Sequence, residues 1–284
     1  AMVGRGFYYP SDTAIGKDGL LYVVNRTLEN NPRGVRVTMC NTESEYFGKF
    51  GSYGEGDGQF IWASAAAVDS RGRIYICDEY LDRISVFDKS GGFLSKWGAH
   101  GTEEGELDTP SGIAVDHQDN LYVSDTHNHR IQKFTADGRF ILSFGSKSDG
   151  VGKLNMPWGV ILDAKGDVYV ADWGNDRIRK FSPDGVHLAK YGTSGGGDGE
   201  FHRPSSVAVD GDGYIYVADW GNERVQVLDR EGGFVMALRG EATLSEWAAE
   251  CLRINVEEAE ARGRANLEPK IEYSVDDPHE ESSH

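Results

Sequence analysis

Histidines are the first residues of this chain whose spacing suggests chemistry. His127 and His129 form a His-x-His motif, which offers two imidazole ligands to an ion such as zinc. His100 or His202 would have to supply a third ligand, but nothing in the sequence places either one beside the motif. We therefore predict no resident metal, and we keep His127 and His129 as the candidate ligands if one binds.

An aspartate followed by an arginine five positions later recurs with a period of 47 residues. The four pairs are Asp78 and Arg83, Asp125 and Arg130, Asp172 and Arg177, and Asp219 and Arg224. A catalytic base does not need four copies with matched arginines. We therefore predict structural pairs, partly buried, that fix the register of adjacent strands. The asparagines three residues after the later aspartates are predicted to be turn residues, because asparagine tolerates left-handed geometry; they are Asn128, Asn175 and Asn222.

Four tryptophans depart from the repeated pattern, and they are the candidate ligand-binding residues. Trp158 replaces the serine of other copies, and Trp62 precedes a predicted first strand. Trp173 and Trp220 directly follow repeat aspartates. All four map to loops at one end of the repeated unit. There they either line a shallow pocket or protein-binding patch or pack over neighbouring blades, and the sequence leaves both alternatives open.

The elements that carry these residues are short antiparallel strands, four in each copy. In the third copy the strands are predicted at 113–116, 121–125, 130–134 and 140–145. Turn signals such as Asp137-Gly138 separate the outer two. The copies begin near Pro10, Ala63, Pro110, Pro157 and Pro204. Short alternating strands with a period in the forties are typical of a β-propeller, so the predicted fold class is all-β.

The repeat resembles the NHL family of β-propellers. The resemblance rests on the pattern Pro-x-Gly-apolar-x-apolar-Asp, followed by Gly-x-apolar-Tyr-Val-x-Asp-x-x-Asn-x-Arg, which is most complete from Pro157. Asn25 in the aspartate slot and Ala63 in the proline slot depart from it. The resemblance covers residues 6–240 and implies a complete ring of about six blades, of which five are written here. A partner or a further segment of chain would complete the sixth.

The resemblance also brings two kinds of metal enzyme into consideration. Related amidating lyases hold zinc through histidines beside the residue after each repeat proline. Those slots here hold Ser11, Ser64, Ser111, Trp158 and Ser205. Related lactonases bind calcium at the channel mouth through scattered acidic and amide side chains. The resemblance therefore implies zinc or calcium only if the chain is a metal-dependent lyase or lactone hydrolase.

Charge argues against nucleic acid as a partner. The chain has 29 basic and 46 acidic residues, a formal net charge of −17. Binding to phosphates needs clustered Lys and Arg, and no such cluster is visible. The composition is that of a soluble protein without a membrane span, and the absence of a visible secretory leader weakly favours the cytoplasm.

The pattern ends near residue 240, and the remainder is acidic. Residues 241–284 carry 12 acidic and 4 basic residues, a net charge of −8. A capping box at Thr243-Leu244-Ser245-Glu246 and apolar residues at helical spacing predict a short C-terminal helix over 244–261.

Two functions follow from these patterns. The first is a binding or scaffold module that presents one loop-rich face to a protein, peptide or glycan. The alternative is a metal-dependent lyase or lactone hydrolase with its site at the channel mouth. Because propellers carry many functions, the fold alone does not choose between them.

Overall fold

The computed structural model describes residues 7, 9–26, 34–43, 45–146 and 152–239. Within them, five antiparallel sheets of four strands each follow one another along the chain. They are the blades of an all-β propeller, and the predicted fold class is confirmed. The predicted C-terminal helix lies outside the described residues. In the part of the chain that is described, no helix is long and apolar enough to cross a membrane.

The strands of each blade have the following bounds, from the innermost strand to the outermost. Blade one consists of Pro10–Ile15, Leu21–Asn25, Arg36–Cys40 and Tyr46–Phe50. Blade two consists of Ala63–Val68, Ile74–Asp78, Arg83–Phe87 and Phe93–Trp97. Blade three consists of Pro110–Val115, Leu121–Asp125, Arg130–Phe134 and Phe140–Phe144. Blade four consists of Pro157–Leu162, Val168–Asp172, Arg177–Phe181 and His187–Tyr191. Blade five consists of Pro204–Val209, Ile215–Asp219, Arg224–Leu228 and Phe234–Arg239.

Short elements lie in the connections and turns. The connection after blade one pairs Ser52–Tyr53 in parallel with Gln59–Phe60, and the one after blade four pairs Thr193–Ser194 with Glu200–Phe201. Single 3₁₀ turns occupy Trp173–Asn175 and Trp220–Asn222.

The first strand of blade three begins at Pro110, earlier than the predicted Ile113. Pro110 pairs with Asp125, and the register then shifts before Gly112. A proline lacks the N–H needed inside a sheet, but it is tolerated at the first residue of a strand or beside a bulge. The repeat proline therefore starts each of the strands that contain it.

The apolar core lies between neighbouring blades rather than within a single blade. Four clusters of buried side chains fill the four interfaces along the chain. In three of them an aromatic ring of one outer strand packs on a third-strand ring of the next blade. The centroid distances are 4.8 Å for Phe50 and Phe87, 4.8 Å for Trp97 and Phe134, and 4.9 Å for Phe144 and Phe181. Each blade is thus stabilised mainly by its neighbours.

A glycine in the outer hairpin of each of blades two to five completes this packing. Gly138 has a φ of +80°, and a Cβ added there would meet the Trp97 ring of the preceding blade. Gly91, Gly185 and Gly232 have similar positive φ angles and face Phe50, Phe144 and Tyr191 in the same way. Both the backbone conformation and the close approach therefore require glycine.

The outward lateral faces of blades one and five are less buried than the faces between blades. Tyr191 of blade four is 8% exposed, whereas its repeat equivalent in blade five, Leu238, is 49% exposed. On blade one, a cavity of about 690 Å³ is lined by residues that include Phe7, Leu21 and Val23. The completion of a sixth blade by a partner or a further segment stays a prediction.

Candidate functional site

Three of the four Asp–Arg pairs form buried ion pairs within their blades. The Arg Nε lies 2.7 Å from the carboxylate in the pair of Asp125 and Arg130, 2.7 Å in that of Asp172 and Arg177, and 2.8 Å in that of Asp219 and Arg224. Each aspartate is completely buried. The outer nitrogen of each arginine donates to carbonyls of the preceding inter-blade connection. These arginines therefore tie each connection to its blade, which is a structural role.

Asp125 shows how such a carboxylate is held. It accepts hydrogen bonds from the Asp108 N–H at 2.7 Å, Asn128 Nδ2 at 3.0 Å, Arg130 Nε at 2.7 Å and Gln132 Nε2 at 3.0 Å. Burial nevertheless raises the pKa of the Asp125 carboxyl above its ordinary value, because desolvation outweighs these donors.

The repeated asparagines lie in turns, as predicted, but they are not the residues with left-handed backbone geometry. The residues with positive φ are the following ones, His129 at 55°, Asp176 at 52° and Glu223 at 52°. Asn128 instead turns its side-chain amide toward the carboxylate, with Nδ2 3.0 Å from both Asp125 oxygens. The amide thus serves as a side-chain donor within the turn.

The second blade departs from this arrangement. Asp78 accepts backbone N–H bonds from Ile61, Trp62, Tyr80 and Leu81. Arg83 donates to the carbonyls of Glu55, Gly56 and Gln59, and its Nε has no hydrogen-bond partner in the described part. The two residues are cross-strand partners, but the predicted side-chain ion pair is wrong here. Leu81 replaces the repeat asparagine, so its backbone rather than an amide side chain reaches the carboxylate.

A further set of side chains links neighbouring blades. Asp82 Oδ1 accepts the Thr109 N–H at 2.7 Å, and Asp176 Oδ1 accepts the Arg203 N–H at 2.7 Å. His129 occupies the same slot, and its Nδ1 accepts the Met156 N–H at 3.0 Å. His129 therefore serves as an inter-blade acceptor. Neither His129 nor His127 belongs to the group of three converging ligands found among the described residues.

His127 points to a different group of side chains. Its Nδ1 lies 3.1 Å from Asp108 Oδ1 and 2.9 Å from the Thr109 hydroxyl. Beside Asp108, ligand atoms of Asp82, His100 and Asp108 all lie within 4.8 Å of one another. His202 lies at a different junction, 3.9 Å from Asp176. Among the described residues, the group that could hold an ion is thus centred on Asp82, His100 and Asp108.

A cavity of about 330 Å³ lies on the propeller axis and is lined by the inner strands. The second residue of every inner strand lines this cavity; these residues are Ser11, Ser64, Ser111, Trp158 and Ser205. Three of the serines donate to a backbone carbonyl of the next blade, Ser11 to Ala63, Ser64 to Pro110 and Ser111 to Pro157. These hydroxyls fasten neighbouring blades around the axis, and none has an imidazole among the contacts of the described residues.

Charged groups also lie at this cavity. Arg26 lines it, pairs with Glu79 at 2.9 Å and donates through Nε to the Ala63 carbonyl at 2.8 Å. Asp12 lines it as well and accepts the Ala66 N–H of the next blade at 2.8 Å. Burial raises the pKa of both the Glu79 and the Asp12 carboxyls. The arrangement could bind a polar group at the axis.

The candidate tryptophans lie at the end of the propeller where the inner strands begin. Trp62, Trp173 and Trp220 lie in loops and turns as predicted, whereas Trp158 is the second residue of the strand Pro157–Leu162. Trp62 is 51% exposed and Trp220 is 61% exposed. Trp158 and Trp173 are half-buried, and their ring centroids are 5.7 Å apart. One pair of indoles therefore packs together within blade four, and the other pair is open to solvent.

Two tyrosines at the same end were missed from the sequence. Tyr80 is 61% exposed in the turn after Asp78, and Tyr9 is 63% exposed directly before Pro10. Tyr80 could have been predicted from the sequence, because it is an aromatic residue in the turn position that His127 occupies in the next copy. The six aromatic residues at this end are called the aromatic face; they are Tyr9, Trp62, Tyr80, Trp158, Trp173 and Trp220. Guanidinium groups lie over two of its rings, Arg26 over Trp62 and Arg203 over Trp173.

Comparison with known families identifies two regions of the chain. The model of the SMP-30/Gluconolactonase/LRE-like region matches residues 65–196. The model of the NHL repeat matches residues 201–228. No curated protein matches the chain in sequence.

Solved structures share the fold at low sequence identity. Virginiamycin B lyase from Staphylococcus aureus is 12% identical with a TM-score of 0.57, over 81% of this chain and 69% of the lyase. A propeller in a nidogen/laminin complex is 19% identical with a TM-score of 0.59, over 81% of this chain and 80% of that one. A protein of unknown function from Bacteroides caccae is 14% identical with a TM-score of 0.61, over 83% of each chain. At these identities the likeness shows the fold alone, a β-propeller, within which residues 201–228 match the NHL repeat.

Proposed function

We propose that this propeller is a binding module that holds a protein, peptide or glycan ligand on its aromatic face. The observation that carries the proposal is the exposure of large aromatic side chains on the loops of one end. Trp62, Tyr80 and Trp220 are each more than half exposed. Other exposed apolar side chains, such as Phe47, Leu94 and Leu188, lie on the outer strands of different blades. Exposed Trp and Tyr are the side chains most enriched at binding hot spots.

The surroundings of these rings fit a ligand that is partly apolar and partly polar. Arg26 and Arg203 hold guanidinium groups over Trp62 and Trp173, so cation and ring are already positioned before a ligand arrives. Pre-positioned side chains reduce the conformational entropy lost on binding. The net charge of −17 opposes a polyanionic ligand and keeps nucleic acid outside the proposal. The similar fold in a nidogen/laminin complex is an example of such a propeller in a protein complex.

A test compares binding to peptide and glycan arrays for the full chain and two triple variants. The face variant carries Trp62→Ser, Tyr80→Ser and Trp220→Ser. The control carries Phe47→Ser, Leu94→Ser and Leu188→Ser on outer strands, where the exposed fractions are 55%, 51% and 50%. We expect a ligand that binds the full chain and the control but loses at least about tenfold in affinity for the face variant. Equal losses for both variants, or no ligand of either class, would overturn the proposal.

The alternative is a metal-dependent lyase or lactone hydrolase with its site at the channel mouth. The observation in its favour is that Asp12 and Arg26 line the axial cavity and that Arg26 pairs with Glu79. The match to the SMP-30/Gluconolactonase/LRE-like region and the lyase of similar fold point the same way. A panel of lactones assayed with added zinc or calcium decides this alternative. Turnover that the Asp12→Asn variant loses would support the enzyme, and no turnover of any lactone would remove lactone hydrolysis.

A further inference from the structure

The junction between blades two and three combines side chains with metal-ligand chemistry from three separate stretches of chain. Asp82 lies in the turn between the second and third strands of blade two. His100 and Asp108 lie in the connection to blade three, and His127 lies in a turn of blade three. From their geometry we propose that Asp82, His100 and Asp108 bind one zinc ion at this junction, with His127 beside Asp108. The site is separate from the proposed function, and either can fail alone.

The distances suit a small ion with nitrogen and oxygen ligands. His100 Nδ1 is 2.9 Å from Asp82 Oδ2, and one ligand atom from each of the three residues lies within 4.8 Å of the others. Zinc bound at about 2.0–2.2 Å in a tetrahedral site separates its ligand atoms by about 3.4 Å. Two ligand atoms at the 4.8 Å limit would have to approach by about 1.4 Å, so a movement of about 0.7 Å by each side chain would close the ligands around an ion.

The ligands combine fixed and adaptable side chains. Asp82 is 15% exposed, and its other oxygen is held by the Thr109 N–H, so its Oδ2 keeps its direction. Asp108 is 28% exposed, whereas His100 is 71% exposed and free to adjust and to admit an ion from solvent. Two carboxylates and one imidazole form a donor set that zinc accepts, and water or His127 would fill the remaining position.

The repeat supplies an internal comparison. At the junction of blades four and five, Asp176 holds the Arg203 N–H just as Asp82 holds that of Thr109. Ser194 there takes the place of His100, with its hydroxyl 2.6 Å from Asp176 Oδ2. His202 takes the place of Asp108 and lies 3.9 Å from Asp176. The second junction therefore offers fewer converging ligands, and its histidine is a matched control.

The test is calorimetric titration of the metal-free full chain with zinc chloride. Three variants accompany it: His100→Ala and Asp108→Asn at the site, and His202→Ala at the matched junction. We expect about one equivalent of zinc with a dissociation constant in the micromolar range. His100→Ala and Asp108→Asn should each weaken it at least about tenfold, about 1.4 kcal/mol, and His202→Ala should leave it unchanged. Circular dichroism would establish that each variant keeps the fold of the full chain.

Three outcomes would overturn the site. The first is no saturable binding of zinc. The second is equal weakening by His202→Ala, which would indicate scattered binding to surface histidines. The third is tighter binding of calcium than of zinc, because a calcium site needs more oxygen ligands than this group supplies.

Discussion

Removing the carboxylate of Asp125 tests whether the repeated ion pairs stabilise the blades. Asp125 is completely buried and accepts from four residues, among them Arg130 Nε at 2.7 Å. Two unit charges about 4 Å apart attract by about 4 kcal/mol at an effective dielectric constant of about 20, and desolvation offsets much of this. In Asp125→Ala the guanidinium of Arg130, only 11% exposed, would remain buried without its counter-ion. We therefore expect the free energy of unfolding to fall by about 3–5 kcal/mol.

The assay is urea unfolding followed by circular dichroism and tryptophan fluorescence. Glu231→Ala is the control, because its ion pair with Arg230 has side chains that are 74% and 75% exposed. That change should stay within about 0.5 kcal/mol. The double variant Asp125→Ala with Arg130→Met should be less destabilised than the sum of the two single variants, because it leaves no buried charge unpaired. A loss for Asp125→Ala no larger than that of the control, or strict additivity in the double variant, would refute this reasoning.

Three further predictions concern packing and pH. Gly138→Ala should lower the free energy of unfolding by about 2–4 kcal/mol, because φ is +80° and a Cβ would meet Trp97; an unchanged urea midpoint would contradict this. Tyr191→Ala should cost about 3 kcal/mol, whereas Leu238→Ala in the same slot of blade five should cost under about 0.5 kcal/mol because it is 49% exposed; comparable losses would show that a partner or a further segment covers blade five. Burial raises the pKa of the Glu79 carboxyl in the folded protein above its unfolded value of about 4.3. The stability that the protonated Glu79 contributes is therefore complete below about pH 4.3 and is lost as the pH rises through the higher folded pKa. Glu79→Gln should therefore flatten the curve of stability against pH between these two pKa values, and an unchanged curve would contradict this role of Glu79.

The blades could be predicted from the sequence because the repeat fixes register at every copy. Asp125 and Arg130 are cross-strand partners at the ends of their strands, as their five-residue spacing requires. Strand pairing within a blade is local in sequence, and turn residues such as Gly138 mark each hairpin. The aromatic residues that break the repeat, Trp62 and Trp220, were recognised as candidates for the same reason.

Side-chain contacts between blades and within their turns could not be predicted from the sequence in the same way. Asp82, His100 and Asp108 converge because loops from two blades approach each other, and sequence spacing carries no distance across that gap. The departure of blade two, where Asp78 and Arg83 form no side-chain ion pair, was likewise not foreseen. Leu81 stands there in the asparagine slot, and its backbone N–H donates to Asp78 where other blades use an asparagine side chain. The left-handed residue lies one position after each asparagine, because the amide donates to the buried carboxylate instead.

Hydroxyl-radical footprinting tests the binding face most directly. The full chain would be labelled with and without the strongest ligand from the peptide and glycan arrays. We predict protection of Trp62, Tyr80 and Trp220, and no change at Phe47 and Leu94 on the outer strands. Protection confined to the outer strands, or to the opposite end of the propeller around Ile15 and His117, would contradict binding at the aromatic face.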